Sequence, residues 1–555
     1  MEDACFPRVG CPFVRPEPRC YHGRVKHPKT VVLKVLLGLA LLTAGLAGRR
    51  MVAANLPPVP PTVDSITPTE LRMHLEFLAS DELGGRYTLS PNFAIAARYL
   101  ASHLEAYGFH GAAKGRFLQK FEVDSIKADP VRTRLQVTVG GKPETLKFGE
   151  DFLISTAGGA GDAAGQIVYV GAGVSAPEQK HDDYAGLDVK GRIVLVVPTL
   201  PAGMDGARLK AAEQGEGAAQ AHGAAGLLVI PPQRFSRFLR DKSAVQRFAS
   251  RDRVMLGSEV DGKLPSLTLV PEAAEKLLAT AGLDLKTAYE NANKKDAPRN
   301  KPLEASASMS VVLQQTRTTT QNVAGILEGT DPELKHEYVV FSAHYDHLKT
   351  GANGAIYHGA DDDGSGTSAM LAIAHAMSLQ RPKRSVLVIF HAGEELGLLG
   401  SQYNTDVAPV VPLDKMVVDL NIDMIGRSRP AGDNQPEDAH LTDAHTVYLV
   451  GADRISPELN ELSEETNSQF QKMKLDYYYN NPDNPERIYY RSDHWNYAKH
   501  GVPIIFYFDG THVDYHKPTD TVDKIDFTKM TEITRLVFET GWRIANLDHR
   551  LTISH

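Results

Sequence analysis

Cysteine is nearly absent from this chain. The 555 residues contain three, Cys5, Cys11 and Cys20, all within the first twenty positions. Everything downstream is therefore without a disulfide framework and without a thiolate metal site. A basic surplus is missing too: Lys+Arg number 60 against 68 Asp+Glu, a net charge of -8, which argues against a dedicated nucleic-acid binder. No apolar stretch reaches the roughly 20 residues of a membrane-spanning helix. The run Val35–Ala47 is too short, at about 20 Å of helix. With 42% apolar and 23% charged residues, the chain has globular composition, neither disordered nor collagenous nor multi-spanning. Histidine is plentiful, at 21, so any metal site must be built from imidazole and carboxylate.

The length predicts about three domains. Arg24, Lys26, Lys29 and Lys34 precede the Val35–Ala47 run, and small residues follow it. This is the pattern of a secretory signal. Gly45-Leu46-Ala47 and Val52-Ala53-Ala54 are the candidate cleavage sites. The competing reading is an uncleaved membrane anchor; no Cys follows the run, so a lipoprotein is excluded. Residues 1–54 are thus assigned to a signal or anchor region, and the expected location is exported, periplasmic or secreted, or membrane-anchored if uncleaved. A proline-rich linker (N-L-P-P-V-P-P-T) opens residues 55–66.

Thr67-Pro68-Thr69-Glu70 reads as a helix start, with an N-cap Thr, Pro in the first turn and Glu three after the cap. A second helix is expected from Ser90-Pro91 to Gly108, and the first part of a catalytic domain spans 67–150. Composition shifts to Gly and Ala at about 151. Strands are predicted at Gln166–Val170, Arg192–Val197 and Leu227–Ile230, with an alanine-rich helix over Ala207–His222. Gly158-Gly159-Ala160-Gly161 precedes a strand instead of following one, so it is not a dinucleotide fingerprint. Residues 151–275 carry no catalytic constellation and are assigned to an inserted domain, and 276–555 to the main catalytic part.

In that last part, apolar runs at Tyr338–Ser342, Ser385–Phe390, Met416–Leu420 and Val502–Phe508 read as buried parallel strands. Each is followed by acids or histidines. The first leads to A-H-Y-D-H (His344, Asp346, His347) and then G-A-D-D-D-G-S-G (Asp361–Asp363). The second leads to H-A-G-E-E-L-G (Glu394, Glu395), the third to Asp423, the fourth to Tyr515 and His516. Ligand sites in open α/β sheets lie outside the carboxyl ends of the strands, so these segments are expected to converge. Imidazole with carboxylate suits zinc, and one carboxylate can bridge two ions. Three adjacent aspartates repel one another in a dry pocket unless a cation compensates. Each motif alone also reads as a solvated turn or a helix cap; their common placement after the strands favours the metal.

The ordered set A-H-Y-D-H, G-A-D-D-D-G-S-G, G-E-E-L-G-L-L-G-S, N-I-D-M-I-G, S-D-H-W and Y-H-K-P-T-D-T resembles the co-catalytic di-zinc exopeptidases of metallopeptidase family 28, from about residue 67 to 550. The runs Asp183–Gly191 and Gly223–Ile230 resemble the protease-associated domain. The resemblance implies an α/β, three-layer sandwich of the zinc-exopeptidase type with a mostly parallel central sheet. Onto it a smaller α/β-rich protease-associated domain would be inserted as a lid or substrate gate. It further implies that His344 and Asp423 bind one zinc, that Glu395 and His516 bind the other, and that Asp362 bridges them, with a cis peptide bond to Asp363. Asp346 would orient His344. Glu394 would be the general base that takes a proton from the attacking water and passes it to the leaving amine, and Tyr515 would hydrogen-bond the developing oxyanion. Asp493 would be structural, His347 and His512 loop residues, and Arg491 a candidate substrate contact. The family's G-R-x-x-G-S-P-G stretch reads G-G-R-Y-T-L-S-P-N here (Gly84–Asn92), a departure expected to affect the local loop. The implied activity is aminopeptidase action on peptides, using two zinc ions and no nucleic acid. A carboxypeptidase or N-acyl-dipeptide hydrolase on the same scaffold is the alternative. A catalytically silent binder predicts lost ligands, and none is missing.

Overall fold

The computed structural model describes residues 56–554 except 156–157, 205, 251, 258–261, 295–300, 352 and 482–483. The expected signal or anchor region lies outside the described residues. Among those described, no helix is long and apolar enough to cross a membrane.

The helix Pro68–Leu78 starts as its sequence predicts: the Thr67 hydroxyl accepts the Glu70 N–H at 3.2 Å, a cap contributing about 1 kcal/mol. Leu71, Leu75 and Leu78 are buried on its inner face. The next helix, Phe93–Ala106, buries Ala96, Ala97, Leu100 and Leu104.

Four strands position the site: β1 (Tyr338–His344), β2 (Ser385–His391), β3 (Met416–Ile422) and β4 (Ile504–Phe508). They lie in the order β2-β1-β3-β4 and run parallel. Nearly every residue in them is buried, which is why they read as unbroken apolar runs. β1 is followed in sequence by β2 on one side and β3 on the other. The connections therefore diverge at its carboxyl end and leave a crevice there.

These four are the centre of a ten-stranded sheet that is mixed, not mostly parallel as expected. Leu118–Ala128 and Leu313–Leu327 pair antiparallel over eleven residues, Leu313–Leu327 pairs antiparallel with β2, and Thr446–Val450 pairs antiparallel with β4. Leu118–Ala128 leads toward the strands of the second sheet and Leu313–Leu327 returns from them, so these two neighbours run in opposite directions. Helices Pro68–Leu78, Gly366–Leu379 and Phe527–Asn546 pack together on one face of the sheet. The last of these lies so close to β1 that a Cβ at Gly541 would stand 2.3 Å from the Phe341 ring. The short helices Leu399–Gln402 and His494–Ala498 cover the other face.

A second sheet has eight strands and its own apolar core. It reaches beyond 151–275 at both ends, taking in Arg134–Val139 and Lys142–Leu146 before that range and Lys301–Val311 after it. From within the range, Arg253–Leu256 pairs instead with Leu118–Ala128 of the large sheet. The helix expected over Ala207–His222 is a single short one, Gly215–Ala221, preceded by two 3-10 turns. Gly206, Gly215 and Gly217 interrupt the alanines, each costing about 1 kcal/mol against Ala in a helix.

Candidate metal centre

The crevice at the carboxyl end of β1 collects the side chains that the sequence scatters over 170 positions. His344 ends β1, and its Nε2 lies 3.3 Å from Asp362 Oδ1 and 3.5 Å from Asp423 Oδ1. His516 Nε2 lies 3.1 Å from Asp362 Oδ2 and 3.0 Å from Glu395 Oε2. The two oxygens of Asp362 thus face two different imidazoles. A tetrahedral ion with bonds of about 2.0–2.1 Å holds its ligand atoms about 3.3 Å apart, close to these separations. His344 Nε2 and Glu395 Oε1 are buried without a hydrogen-bond partner, as atoms reserved for a cation would be. Among the described residues two donor groups result, His344 with Asp362 and Asp423, and His347 with Asp362 and Glu395. The residues fit zinc in donor type and in spacing.

The backbone around Asp362 is pinned from several sides. Asp520 accepts the N–H groups of Asp361 and Asp362 at 3.0 and 3.2 Å. Asp363 turns away from the crevice and accepts the N–H groups of Gly366 and Met424. The Asp362–Asp363 peptide bond is cis, as the resemblance implies. Ser492 donates to Asp423 Oδ2 at 2.7 Å and so fixes which oxygen faces the crevice.

Asp346 meets His344 differently from the expectation. The His344 Nδ1 sits 3.2 Å from the Asp346 main-chain carbonyl oxygen and 3.7 Å from its carboxylate. That carboxylate accepts the Thr88 hydroxyl at 2.8 Å and the Glu394 N–H at 3.2 Å. It therefore ties the loop after β2 to the loop after β1.

Arg86, from the stretch expected only to alter a loop, is a buried clamp. Its guanidinium donates to the carbonyls of Tyr345, Leu78, His358 and Gly359 at 2.6–3.0 Å. Sequence reading missed it because an isolated Arg in a Gly-rich turn looks solvent-facing. Arg86→Leu leaves four buried carbonyls unpaired at about 1–3 kcal/mol each. We expect it to lower the melting temperature sharply and to reduce zinc retained after dialysis, both read on the same preparation. His347 and His512 do lie in loops, as expected, yet both are buried. His512 Nε2 faces Asp361 Oδ2 at 3.3 Å.

Burial pushes the Glu394 carboxyl well above its usual range, with Asp423, Glu395 and Asp493 adding to the rise and His344 opposing it. Burial likewise lifts Asp493 to about 7. Asp362 goes the other way: His347, His344 and His516 outweigh burial and hold it well below the carboxylate range. For His516, burial opposes protonation, but Glu395 and Asp362 raise it to about 10. An imidazole must lose its proton to bind a metal. An ion held by His516 would therefore expel a proton on binding below pH 10, and its affinity would fall as pH falls. Zinc titration of the metal-free protein by calorimetry, in buffers of different ionisation enthalpy, should show net proton release and tighter binding at pH 8 than at pH 6.

Asp362, Glu394 and Asp423 line a pocket that they share with the apolar Met424, Ile488, Phe506 and Phe508 and with Thr511, Tyr515 and Arg491. The Tyr515 ring stacks on His516 at 3.9 Å. Burial raises its hydroxyl well above the usual range, with Asp362 and Glu395 adding to the rise, so it is a neutral donor at working pH. A larger cavity, about 910 Å³, lies in the second-sheet region beside Val174, Leu200 and Glu216 and contains none of these groups.

Residues 322–541, which carry every donor named above, match the family model described as Peptidase family M28. This segment is thus similar to peptidase family M28. Among curated relatives, aminopeptidase YwaD of Bacillus subtilis (strain 168) is 36% identical over 114 residues, 20% of this chain and 23% of that protein. The probable leucine aminopeptidase 2 of Aspergillus oryzae is 29% identical over 207 residues, 37% of this chain and 36% of that protein. The matches thus span about a quarter and about a third of those two relatives. The solved aminopeptidase from Aneurinibacillus sp. strain AM-1 aligns with a TM-score of 0.55 at 18% identity, covering 89% of this chain and 97% of that one, a likeness of fold. The M28 segment begins within the strand Leu313–Leu327 and ends within the last helix, so it takes in all four site strands.

Proposed function

We propose that this protein is an exported zinc exopeptidase that removes N-terminal residues from peptides. The observation that carries the reading is the division of Asp362: one oxygen toward His344, the other toward His516, with the Glu394 carboxylate 3.9 Å from His344. In this reading His344 and Asp423 hold one zinc, Glu395 and His516 the other, and Asp362 is shared. Bound zinc supplies Lewis acidity toward the scissile carbonyl and a nucleophile at neutral pH.

The chain's own groups supply the rest. Glu394 cannot aim at the ion that its neighbour Glu395 serves, and its carboxylate lines the pocket. There it takes a proton from the attacking water and returns it to the leaving amine. Tyr515, un-ionised, offers its hydroxyl hydrogen to the oxygen on which charge develops. Met424, Ile488, Phe506 and Phe508 offer an apolar surface for the side chain of the N-terminal residue. The acids that line the same pocket favour its ammonium.

Arg491 on the pocket lining supports the second reading, a carboxypeptidase or N-acyl-dipeptide hydrolase, because a guanidinium there could hold a substrate carboxylate. Free-amine amino-acid p-nitroanilides separate the two. We expect them to be cleaved, with N-acetylated versions resistant. Preference for the acetylated compounds would move the protein to the second reading. The basic flank and apolar run before residue 54 support export, and the second sheet, read as a protease-associated lid, would govern substrate size rather than chemistry.

A further inference from the structure

One buried imidazole beside the candidate metal centre is not among the ligands implied above. His347 has no exposed side-chain surface, its Nδ1 lies 2.8 Å from Glu395 Oε1 and 3.7 Å from Asp362 Oδ2, and neither ring nitrogen has a hydrogen-bond partner. A contact of 2.8 Å that is not a hydrogen bond means that the N–H direction misses the oxygen. Two donors that stand side by side without pointing at each other behave as ligands aimed at a common third atom. The same is true of His344 Nε2, which stands 3.3 Å from Asp362 and is likewise unpartnered.

The ring is held in place. The main-chain N–H of His347 donates to the Arg86 carbonyl at 3.3 Å. On the other side Gly359 leaves the room the ring needs: a Cβ there would stand 2.5 Å from His347 Cγ and 2.3 Å from the Asp362 carbonyl oxygen. His516 meets the ring edge-on, with centroids 5.7 Å apart. A buried histidine with both nitrogens unpaired is costly unless something takes a lone pair.

We propose that His347 is a further ligand of the second metal position. This rests on the di-zinc reading and makes its two halves unequal. The position near Glu395 gains four protein donors: His347, His516, Glu395 and one oxygen of Asp362. The position near His344 has three, His344, Asp423 and the other oxygen of Asp362. Four protein donors close a zinc site, whereas three leave a place for water or substrate. The first position would then keep a place open, and the second would hold its ion more tightly. His516, with a third of its side chain exposed against none for His347, is the outer of the two imidazoles.

Metal titration of the intact protein tests this without an activity assay. Metal-free wild type, His347→Ala and His347→Gln are titrated with zinc, and separately with cobalt(II) while the visible absorption is followed. Wild type should bind two ions with distinct affinities. Both variants should lose at least 100-fold in the tighter affinity, keep the weaker one, and show an altered cobalt band for the tighter site even at saturation. The melting temperature of the metal-free proteins controls for folding, and the Gln variant keeps the buried volume if Ala does not fold. Unchanged tight affinity in a folded variant overturns the proposal. So does weakened affinity with an unchanged cobalt spectrum, which would make His347 a hydrogen-bonding support of Glu395. A wild type that binds fewer than two ions would instead sink the di-zinc reading itself.

Discussion

Glu394→Gln should lower kcat by about 10²–10⁴-fold, about 3–5 kcal/mol of transition-state stabilisation, with a modest change in KM and unchanged zinc content. Gln keeps the size of the side chain and a hydrogen bond but cannot carry a proton. The backbone should be undisturbed, because residue 394 is held through its main-chain N–H by Asp346, an interaction the substitution leaves alone. Glu395→Gln is the contrasting variant. Its carboxylate oxygens face His516 and His347 at 3.0 and 2.8 Å, so it should lose metal, and activity should fall in proportion to occupancy. Steady-state kinetics paired with metal analysis of the same preparations decides between the two roles. If Glu394→Gln lost zinc and kept its activity per bound metal, the roles would be reversed.

Asp362→Asn should be the more drastic change. Asp362 alone belongs to both donor groups, and its two oxygens are divided between His344 and His516. An amide offers one neutral oxygen where two ions need an anionic one each. Both ions should be lost together, and turnover should fall at least as far as with Glu394→Gln. Asp423→Asn removes a donor from only one group and should leave about one zinc per chain. In the metal-free protein His347, His344 and His516 favour the ionised Asp362 carboxylate, so the metal-free variant should be less stable than metal-free wild type at neutral pH, which calorimetric melting with chelator checks. A variant that still binds two zinc ions would show that Asp362 does not bridge.

Much of this was legible in the order of residues. β1 to β4 announce themselves as apolar runs because both faces of each are covered, which leaves no alternation to blur the signal. The acids and histidines after each run could be placed at one edge of the sheet because parallel strands bring their carboxyl ends together. Thr67 and Glu70 marked a helix start through purely local chemistry, the pairing of a hydroxyl with a nearby N–H. Local pattern and strand order need only the chain itself.

Other features depend on groups that meet across the fold, and these only the tertiary structure decided. The antiparallel pairing of Leu118–Ala128 with Leu313–Leu327 joins strands about 200 residues apart, which no window of sequence contains. The second sheet takes strands from beyond both expected edges because pairing partners such as Arg134–Val139 and Lys301–Val311 are about 170 residues apart. Arg86 reads as a loop arginine until Tyr345, His358 and Gly359 turn their carbonyls toward it. His347 looks like one more residue after a strand. Its burial against Glu395 depends on Arg86 and the Gly359–Asp362 turn arriving from two separate segments, and a ligand's role is set by what surrounds it in space rather than by its neighbours in the chain.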